Sequence, residues 1–309
     1  MKGRKYIFHP DLKPYEKLKA VLNLLLGRVL QTLMGVQYGM EKDDDGVSVT
    51  QYRIPETDGA NIRLLFYAPK QCAERMPCLF FLHGGGFVFN AAPHHFALAR
   101  RFTKELQVKT LFVDYRLAPK YKFPTAQNDC LSAYRWVISN AEKLGDDAEK
   151  MLVCGDSAGG NLATVLCLMA KDAGLTLPKA QMLLYPFVDR RMNTESYLRY
   201  TDTPMCNSKD MEKYLKMYVK NLEATQIPNL SPIEGSLVGM PPAYIEVAQY
   251  DCLRDEGVKY SEALEQCGVY AELHEIKAAM HGYDIAKDSG LLNEIMEVRL
   301  RFFQKILNS

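Results

Sequence analysis

A serine near the middle of the chain lies in a short glycine-rich turn. The segment Gly155-Asp156-Ser157-Ala158-Gly159 fits the pattern G-x-S-x-G, in which a serine occupies a sharp, strained turn between a strand and a helix. The apolar run before it, residues 151–154, predicts a buried strand, and the helix-forming run after it, residues 162–170, predicts a helix. A serine placed in this way exposes its hydroxyl at the top of a sheet, so the pattern predicts Ser157 as a nucleophile.

A serine hydroxyl needs a base within hydrogen-bond reach, and the base needs a third group to orient it. In proteins with this turn the partners follow the serine in the order acid, then histidine. Only His274 and His281 follow Ser157. His274 falls inside a predicted strand, whereas His281 comes just after that strand, in a loop of the kind that meets ligands in open α/β sheets. We predict His281 as the base, with His274 as the alternative.

The acid is expected directly after an earlier strand. Asp251 follows the predicted strand segment 247–250 without a gap. Asp255 and Glu256 lie close by, but they fit the first turn of the next helix, where carboxylates offset the helix dipole. Asp251 is therefore predicted to orient the base, and the alternative is an aspartate that only shapes a turn.

A second glycine-rich segment, His83-Gly84-Gly85-Gly86, follows the apolar run 78–82 and precedes the serine along the chain. Consecutive glycines let a backbone approach a bound molecule with its amides exposed. A phosphate-binding loop is the competing interpretation, and it would require G-x-x-x-x-G-K-[ST], or G-x-G-x-x-G at the start of a helix. Here the apolar residues Phe87, Val88 and Phe89 follow instead, and no lysine is placed to reach a phosphate.

The segment matches the loop that stabilises an oxyanion in lipases and esterases. The predicted donors are the backbone amides of Gly85 and Gly86, together with the amide of Ala158 just after the serine. His83 is predicted to be a buried hydrogen-bonding residue that, with Gly84, supports this loop rather than a base.

Strands and helices alternate along most of the chain. Strands are predicted at residues 47–54, 62–68, 78–82, 110–115, 151–154, 180–185, 243–248 and 269–276, and helices at 97–106, 123–144, 162–170, 255–267 and 291–307. The first two strands, joined at Thr57-Asp58-Gly59, predict an antiparallel hairpin. The remainder predicts an α/β fold with a mostly parallel, doubly wound sheet, in one domain over residues 1–309. The segment 189–232 breaks the alternation, contains one predicted helix at 209–222, and is interpreted as an insertion over the sheet.

Composition narrows the classes of partner. Of the 309 residues, 48% are hydrophobic, which suits a large buried core. The net charge is only +1, which argues against a nucleic-acid partner. Eight scattered cysteines show neither a C-x-x-C pair nor zinc-ligand spacing, which predicts no disulfide framework, no metal and a reducing, cytoplasmic compartment. Polar residues follow the basic N-terminus where the apolar part of a signal peptide would lie, so we expect no export and no stable membrane insertion.

Taken together and in order, five motifs resemble the hormone-sensitive-lipase-like branch of the α/β-hydrolases and, within it, bacterial acetyl esterases. The resemblance spans about residues 78–283. It rests on His83-Gly84-Gly85-Gly86-Phe87, Asp114-Tyr115-Arg116-Leu117-Ala118-Pro119, Gly155-Asp156-Ser157-Ala158-Gly159-Gly160-Asn161, Asp251-Cys252-Leu253-Arg254-Asp255-Glu256-Gly257 and His281-Gly282. It implies an α/β-hydrolase fold and assigns the nucleophile to Ser157, the acid to Asp251 and the base to His281.

The resemblance also implies a helical cap, built from about residues 1–45 and 189–232. Leucines and valines recur at helical spacing from residue 18 to residue 33, which predicts a helix with one apolar face. As part of a cap, that face would roof an acyl pocket flanked by Phe87 and Phe89, which predicts a preference for acetyl to butyryl esters. A membrane surface is the alternative partner for the same face.

We therefore expect a serine carboxylesterase that acts on a small-molecule ester and uses no metal or organic cofactor. An amidase or deacetylase with the same side chains is one alternative. A non-catalytic receptor for a small ligand on the same fold is a second, and a structural or interaction protein is a third. The sequence leaves open the natural alcohol of the substrate and whether the protein is a homodimer.

Overall fold

The structure is a computed structural model that describes residues 6–19, 34–56, 58–71 and 75–309. Most of the helix predicted at residues 18–33 lies outside the described residues, as does Thr57 in the predicted hairpin turn. Residues 34–40, which follow that segment, are helical.

The strands are β1 Val47–Pro55, β2 Asn61–Pro69, β3 Met76–Leu82, β4 Lys109–Asp114, β5 Asp146–Asp156, β6 Ala180–Leu184, β7 Ala243–Tyr250 and β8 Ala271–Met280. In the described residues they form one eight-stranded sheet with the strand order β1-β2-β4-β3-β5-β6-β7-β8. Strands β3 to β8 run parallel to one another, and β2 is antiparallel to both β1 and β4. The predicted parallel sheet and the predicted hairpin are both confirmed.

Helices cover the two faces of this sheet, each over its own cluster of buried apolar side chains. The central strands read as largely continuous apolar runs because a parallel sheet is buried on both faces, whereas the edge strands β1 and β8 are partly exposed. The helix bounds are α1 Pro93–Leu106, α2 Thr125–Ser139, α3 Ala141–Leu144, α4 Ala158–Asp172, α5 Glu195–Arg199, α6 Ser208–Tyr218, α7 Arg254–Gln266 and α8 Gly290–Leu307. Almost every residue of α4 is buried, since it follows the central strand β5 directly.

Several predicted elements differ from the structure, and β5 begins at Asp146, five residues before its predicted start. The helix predicted at 123–144 is divided at Asn140, whose side-chain amide donates to the carbonyl of Trp136 at 2.8 Å and so competes with helical hydrogen bonds. The insertion contains α5 in addition to α6, and α6 ends at Tyr218 because Val219 adopts an extended conformation. Strand β8 continues to Met280, four residues beyond its predicted end.

The segment 189–232 contributes Met205, Cys206 and Tyr214 to a cavity that Ser157 also lines. This cavity lies at the carboxyl ends of the parallel strands, where open α/β sheets bind ligands. None of the helices in the described ranges combines the length and the apolar character needed to span a bilayer.

Candidate active site

Ser157 occupies the turn between β5 and α4 in a strained conformation, with φ of 54° and ψ of −116°. The glycines around it are required by close backbone contacts. A Cβ atom at Gly155 would lie 2.2 Å from the carbonyl oxygen of Gly159, and one at Gly159 would lie 2.0 Å from the carbonyl oxygen of Leu82. The tight strand–turn–helix predicted from the G-x-S-x-G pattern is therefore present.

The structure brings Ser157, His281 and Asp251 into one hydrogen-bonded chain. His281 Nε2 lies 2.8 Å from Ser157 Oγ, and His281 Nδ1 lies 2.8 Å from Asp251 Oδ2. The second carboxylate oxygen of Asp251 accepts a hydrogen bond from the backbone amide of Leu253 at 2.9 Å, which fixes the carboxylate. All three side chains are buried, and they come from the turn after β5, the end of β7 and the loop after β8.

The alternatives to these residues lie elsewhere. His274 is inside β8, where its ring stacks on Tyr244 with the centroids 4.6 Å apart. Asp255 accepts hydrogen bonds from Arg254 and from the backbone amide of Ser196. Glu256 accepts from the backbone amides of Val188 and Asp189, at 2.8 Å each. The interpretation of Asp255 and Glu256 as first-turn residues of the helix α7 agrees with these positions.

The electrostatic surroundings of His281 favour its protonated form. Burial on its own lowers the pKa of an imidazole, but the charge and hydrogen bond of Asp251 outweigh burial and raise the pKa of His281 to about 9. An imidazole with a raised pKa is a stronger base once it is neutral, and it can receive the proton of a neighbouring hydroxyl.

The glycine loop approaches the serine turn with positive φ angles of 116° at Gly85 and 62° at Gly86. Among the described residues, no hydrogen bond has the amide of Gly85, Gly86 or Ala158 as its donor. A Cβ at Gly86 would lie 2.6 Å from Cγ of Tyr214, since the ring of this insertion residue packs on the loop. Gly85 and Gly86 therefore line the cavity, Ala158 directly follows Ser157, and none of these three amides is used by the protein backbone.

His83 supports this loop through buried contacts. It is completely buried, its Nδ1 contacts the carbonyl of Gly84 at 2.7 Å, and its own carbonyl accepts a hydrogen bond from the Tyr115 hydroxyl at 2.6 Å. Burial, followed by the influence of His95, lowers the pKa of His83 to about 3, so it is neutral near pH 7. These contacts agree with a supporting residue and not with a base.

Sequence reasoning missed a second contact that holds the loop. Asp156 Oδ1 accepts a hydrogen bond from the amide of Gly84 at 2.9 Å, and Asp156 Oδ2 lies 3.2 Å from His95 Nε2. Burial raises the pKa of Asp156, but the charge and hydrogen bond of His95 outweigh burial and lower the pKa to about 2. The only sequence signal was the acidic residue inside the serine motif itself.

A mainly apolar cavity of about 300 Å³ opens beside Ser157 and His281. Phe89 lines this cavity as predicted. Phe87 is not among the described residues that line it, so the prediction of Phe87 as a pocket residue is wrong. The positive φ of Phe87, 60°, accompanies a ring that is buried against Tyr218, with the ring centroids 4.2 Å apart. Other side chains that line the cavity were not predicted from the sequence, and they include Tyr185, Met205, Cys206, Tyr214 and Ile285.

Residues 79–285 match the family described as alpha/beta hydrolase fold. The chain belongs to the α/β-hydrolase family. Ethyl acetate hydrolase of Pseudomonas putida is 33% identical over 246 residues, which cover 78% of this chain and 77% of that protein. Carboxylesterase NlhH of Mycobacterium tuberculosis is 35% identical over 227 residues, 72% of this chain and 71% of that protein.

Among solved structures, a bacterial heroin esterase superposes with a TM-score of 0.88 at 28% identity, covering 98% of this chain and 99% of that one. A hyperthermophilic esterase from the archaeon Pyrobaculum calidifontis gives a TM-score of 0.81 at 30% identity, over 94% and 100% of the two chains. The resemblance to hormone-sensitive-lipase-like esterases is confirmed, and this α/β-hydrolase is a carboxylic ester hydrolase.

Proposed function

We propose that this α/β-hydrolase is a serine carboxylesterase that cleaves short-chain esters, from acetyl to butyryl, through an acyl-enzyme. The observation that carries the proposal is the position of His281, 2.8 Å from the Ser157 hydroxyl on one side and 2.8 Å from the Asp251 carboxylate on the other. This arrangement has the geometry of a nucleophile, its base and the group that orients the base.

In the first half-reaction, Ser157 Oγ attacks the ester carbonyl carbon while His281 Nε2 takes the hydroxyl proton. Asp251 holds the proton on His281 Nδ1, so Nε2 is free to accept, and the carboxylate stabilises the imidazolium that forms. The tetrahedral intermediate collapses when His281 returns the proton to the leaving alcohol. The ester acyl group is then bonded to Ser157, and the C–O bond to the alcohol is broken.

In the second half-reaction, water attacks the acyl-enzyme while His281 again accepts a proton. The second intermediate collapses when His281 returns the proton to Ser157 Oγ, which breaks the bond between the acyl carbon and Ser157, releases the carboxylic acid and restores the hydroxyl. Both intermediates carry a negative oxygen, and the amides of Gly85, Gly86 and Ala158 are the proposed donors to it. One such donor contributes roughly 3–4 kcal/mol to the transition state where this has been measured.

The proposed acyl preference follows from the walls of the cavity. Phe89 and Tyr214 meet edge to face, with ring centroids 6.0 Å apart, and both line a space of about 300 Å³. The acyl group is proposed to lie in this space, under a cap formed by about residues 1–45 and 189–232. Because the acyl chain and the alcohol of the ester must share this space, we propose that a few methylene groups are accommodated better than a chain of ten carbons.

The test uses purified protein and p-nitrophenyl esters of two, four and ten carbons, with the matched p-nitroanilide amides. We expect the acetyl and butyryl esters to be hydrolysed and the decanoyl ester and the amides to be poor substrates. Asp251→Asn and His281→Ala are expected to lower kcat by several orders of magnitude with small changes in KM, and the double variant to be little worse than the worse single one.

Asp255→Asn is the matched control, because it neutralises a nearby carboxylate that bonds Arg254 and the Ser196 amide instead of His281. It should retain activity. Full activity in Asp251→Asn together with a loss in Asp255→Asn would assign the orienting role to Asp255 and overturn the proposed triad.

A further inference from the structure

A buried polar cluster, which the proposed mechanism does not use, lies against the loop that carries His281. We call it the Arg299 cluster. It consists of the guanidinium of Arg299, the carboxylates of Glu246 and Asp284, and the hydroxyls of Tyr185, Tyr244 and Tyr283. All six side chains are buried, and Arg299 and Glu246 are each 0% exposed.

Charge pairing holds the centre of the cluster. Arg299 Nε and Nη2 donate to the two oxygens of Glu246 at 2.9 and 2.7 Å, and Arg299 Nη1 donates to Asp284 Oδ1 at 2.9 Å. Burial acts against both charges. The Arg299 charge nevertheless holds the pKa of Glu246 below its usual value, and the two carboxylates raise the pKa of Arg299. A buried network that is satisfied in this way is rigid, and removing one charged partner is costly.

Tyr185 connects this cluster to His281. Its hydroxyl donates to Asp284 Oδ2 at 2.6 Å, and its backbone amide donates to the carbonyl of Glu246 at 2.7 Å. Burial and the Asp284 charge raise the pKa of Tyr185, so the hydroxyl keeps its proton and remains a donor. The residue also has a positive φ of 37°, an unusual conformation for a side chain of this size.

The ring of Tyr185 packs against the imidazole of His281. The two ring centroids are 5.0 Å apart and the planes are inclined at 64°, an edge-to-face arrangement. Tyr185 therefore holds one side of the imidazole while Asp251 bonds its Nδ1 atom. Rotation of the imidazole out of line with Ser157 would require the Tyr185 ring to move, and the Asp284 bond opposes that movement.

We propose that Tyr185 is a positioning residue for His281, and that Asp284, held by Arg299, is the anchor that keeps Tyr185 in place. The inference rests on the proposed function, in which His281 is the base. Its consequence is that α8, which supplies Arg299 from the C-terminal end of the chain, contributes to the alignment of the active site.

The competing interpretation is that the cluster only stabilises the fold. Tyr244 separates the two interpretations, because its hydroxyl also bonds Glu246 in the cluster, yet its ring stacks on His274 rather than on His281. Loss of the Tyr244 hydroxyl removes the same kind of buried hydrogen bond without releasing the imidazole.

The experiment compares Tyr185→Phe and Tyr185→Leu with Tyr244→Phe, measuring kcat and KM on a butyryl ester, the rate of inactivation by a fluorophosphonate, and Tm. We expect Tyr185→Leu to lower kcat and the inactivation rate by about a hundredfold, because a misplaced base loses its alignment. Tyr185→Phe keeps the ring and should recover part of this loss, with a reduction of about tenfold. KM should stay within about twofold in both variants.

Tyr244→Phe should lower Tm by an amount comparable to Tyr185→Phe while leaving kcat within about twofold of the unaltered protein. The proposal is wrong if Tyr185→Phe and Tyr185→Leu retain full kcat, if their loss lies in KM, or if Tyr244→Phe loses as much kcat as Tyr185→Phe. His281→Ala distinguishes this failure from that of the proposed function, because an active His281→Ala protein would contradict the assignment of the base itself.

Discussion

Asp156 accepts a hydrogen bond from the backbone amide of Gly84 at 2.9 Å, although the two residues are 72 positions apart in the chain. Asp156 directly precedes Ser157, and Gly84 directly precedes Gly85. One carboxylate therefore fixes the distance between the proposed nucleophile and the proposed oxyanion donors. Gly84 has no room for a side chain here, since a Cβ would lie 2.2 Å from Asp156 Oδ2.

Asp156→Asn is expected to lower both activity and stability. The backbone amide of Ala92 donates to His95 Nδ1 at 2.8 Å, and His95 presents an N–H at Nε2 to Asp156 at 3.2 Å. An asparagine offers one oxygen to two donors, which leaves one buried donor facing an NH2 group at a cost of about 1–3 kcal/mol. We expect kcat to fall at least tenfold and Tm to fall in thermal unfolding. Asp172→Asn, at the exposed end of α4, is the control and should change neither. Unchanged kcat in Asp156→Asn would show that the loop does not depend on this bond.

Gly86→Ala is expected to reduce activity more than Gly239→Ala, which replaces a glycine with a similar positive φ angle. Gly86 and Gly239 have similar φ angles, 62° and 74°, but a Cβ at Gly86 would meet the Tyr214 ring whereas one at Gly239 would have nothing within 4 Å. Both alanine variants should lose about 1 kcal/mol of unfolding free energy from the positive φ. Only Gly86→Ala should displace the loop and lower kcat on the butyryl ester. Equal kcat in the two variants would contradict a role for the Gly86 backbone in the reaction.

The pH dependence is expected to show activity and stability changing in opposite directions. The pKa of His281 is raised from 6.5 to about 9, and the proposed reaction needs the neutral imidazole. kcat/KM should therefore increase as pH rises toward 9 and level off above it. The folded state binds the His281 proton more tightly than the unfolded state does. The stabilisation of the fold by this proton is therefore complete below pH 6.5 and is lost as pH rises through about 9. The measurements are kcat/KM and Tm over this range, and a rate that falls between pH 7 and pH 9 would contradict this assignment.

Phe89→Ala is expected to extend the acyl range. The Phe89 ring lines the cavity and meets Tyr214 edge to face, so its removal lengthens the space beside Ser157. The ratio of kcat/KM for decanoyl to butyryl esters should rise by at least tenfold. Leu198→Ala, in α5 with a side chain that is 69% exposed, is the control and should leave the ratio unchanged. An unchanged ratio in Phe89→Ala would remove Phe89 from the acyl pocket.

The sequence predicted the positions that local pattern determines. Continuous apolar runs located the strands β3 to β7. The order of acid and histidine after the serine indicated Asp251 and His281, which the structure places in one hydrogen-bonded chain with Ser157. Long-range contacts could not be predicted in this way. Spacing gave no indication that Asp156 would bond Gly84, that Arg299 would meet Glu246, or that Phe87 would turn away to stack on Tyr218, because each depends on tertiary packing between distant segments.

The central claim is that Ser157 is the nucleophile of an ester hydrolase, and covalent labelling tests it most directly. A fluorophosphonate is incubated with the unaltered protein, with Ser157→Ala and with the control Ser261→Ala, and intact masses and Tm values are recorded. We expect one added phosphonyl group on the unaltered protein and on Ser261→Ala, located at Ser157 by peptide mapping. Ser157→Ala should take no label and hydrolyse no ester, with Tm retained. A folded Ser157→Ala protein that still takes the label, or still hydrolyses the ester, would contradict the assignment of Ser157 as the nucleophile.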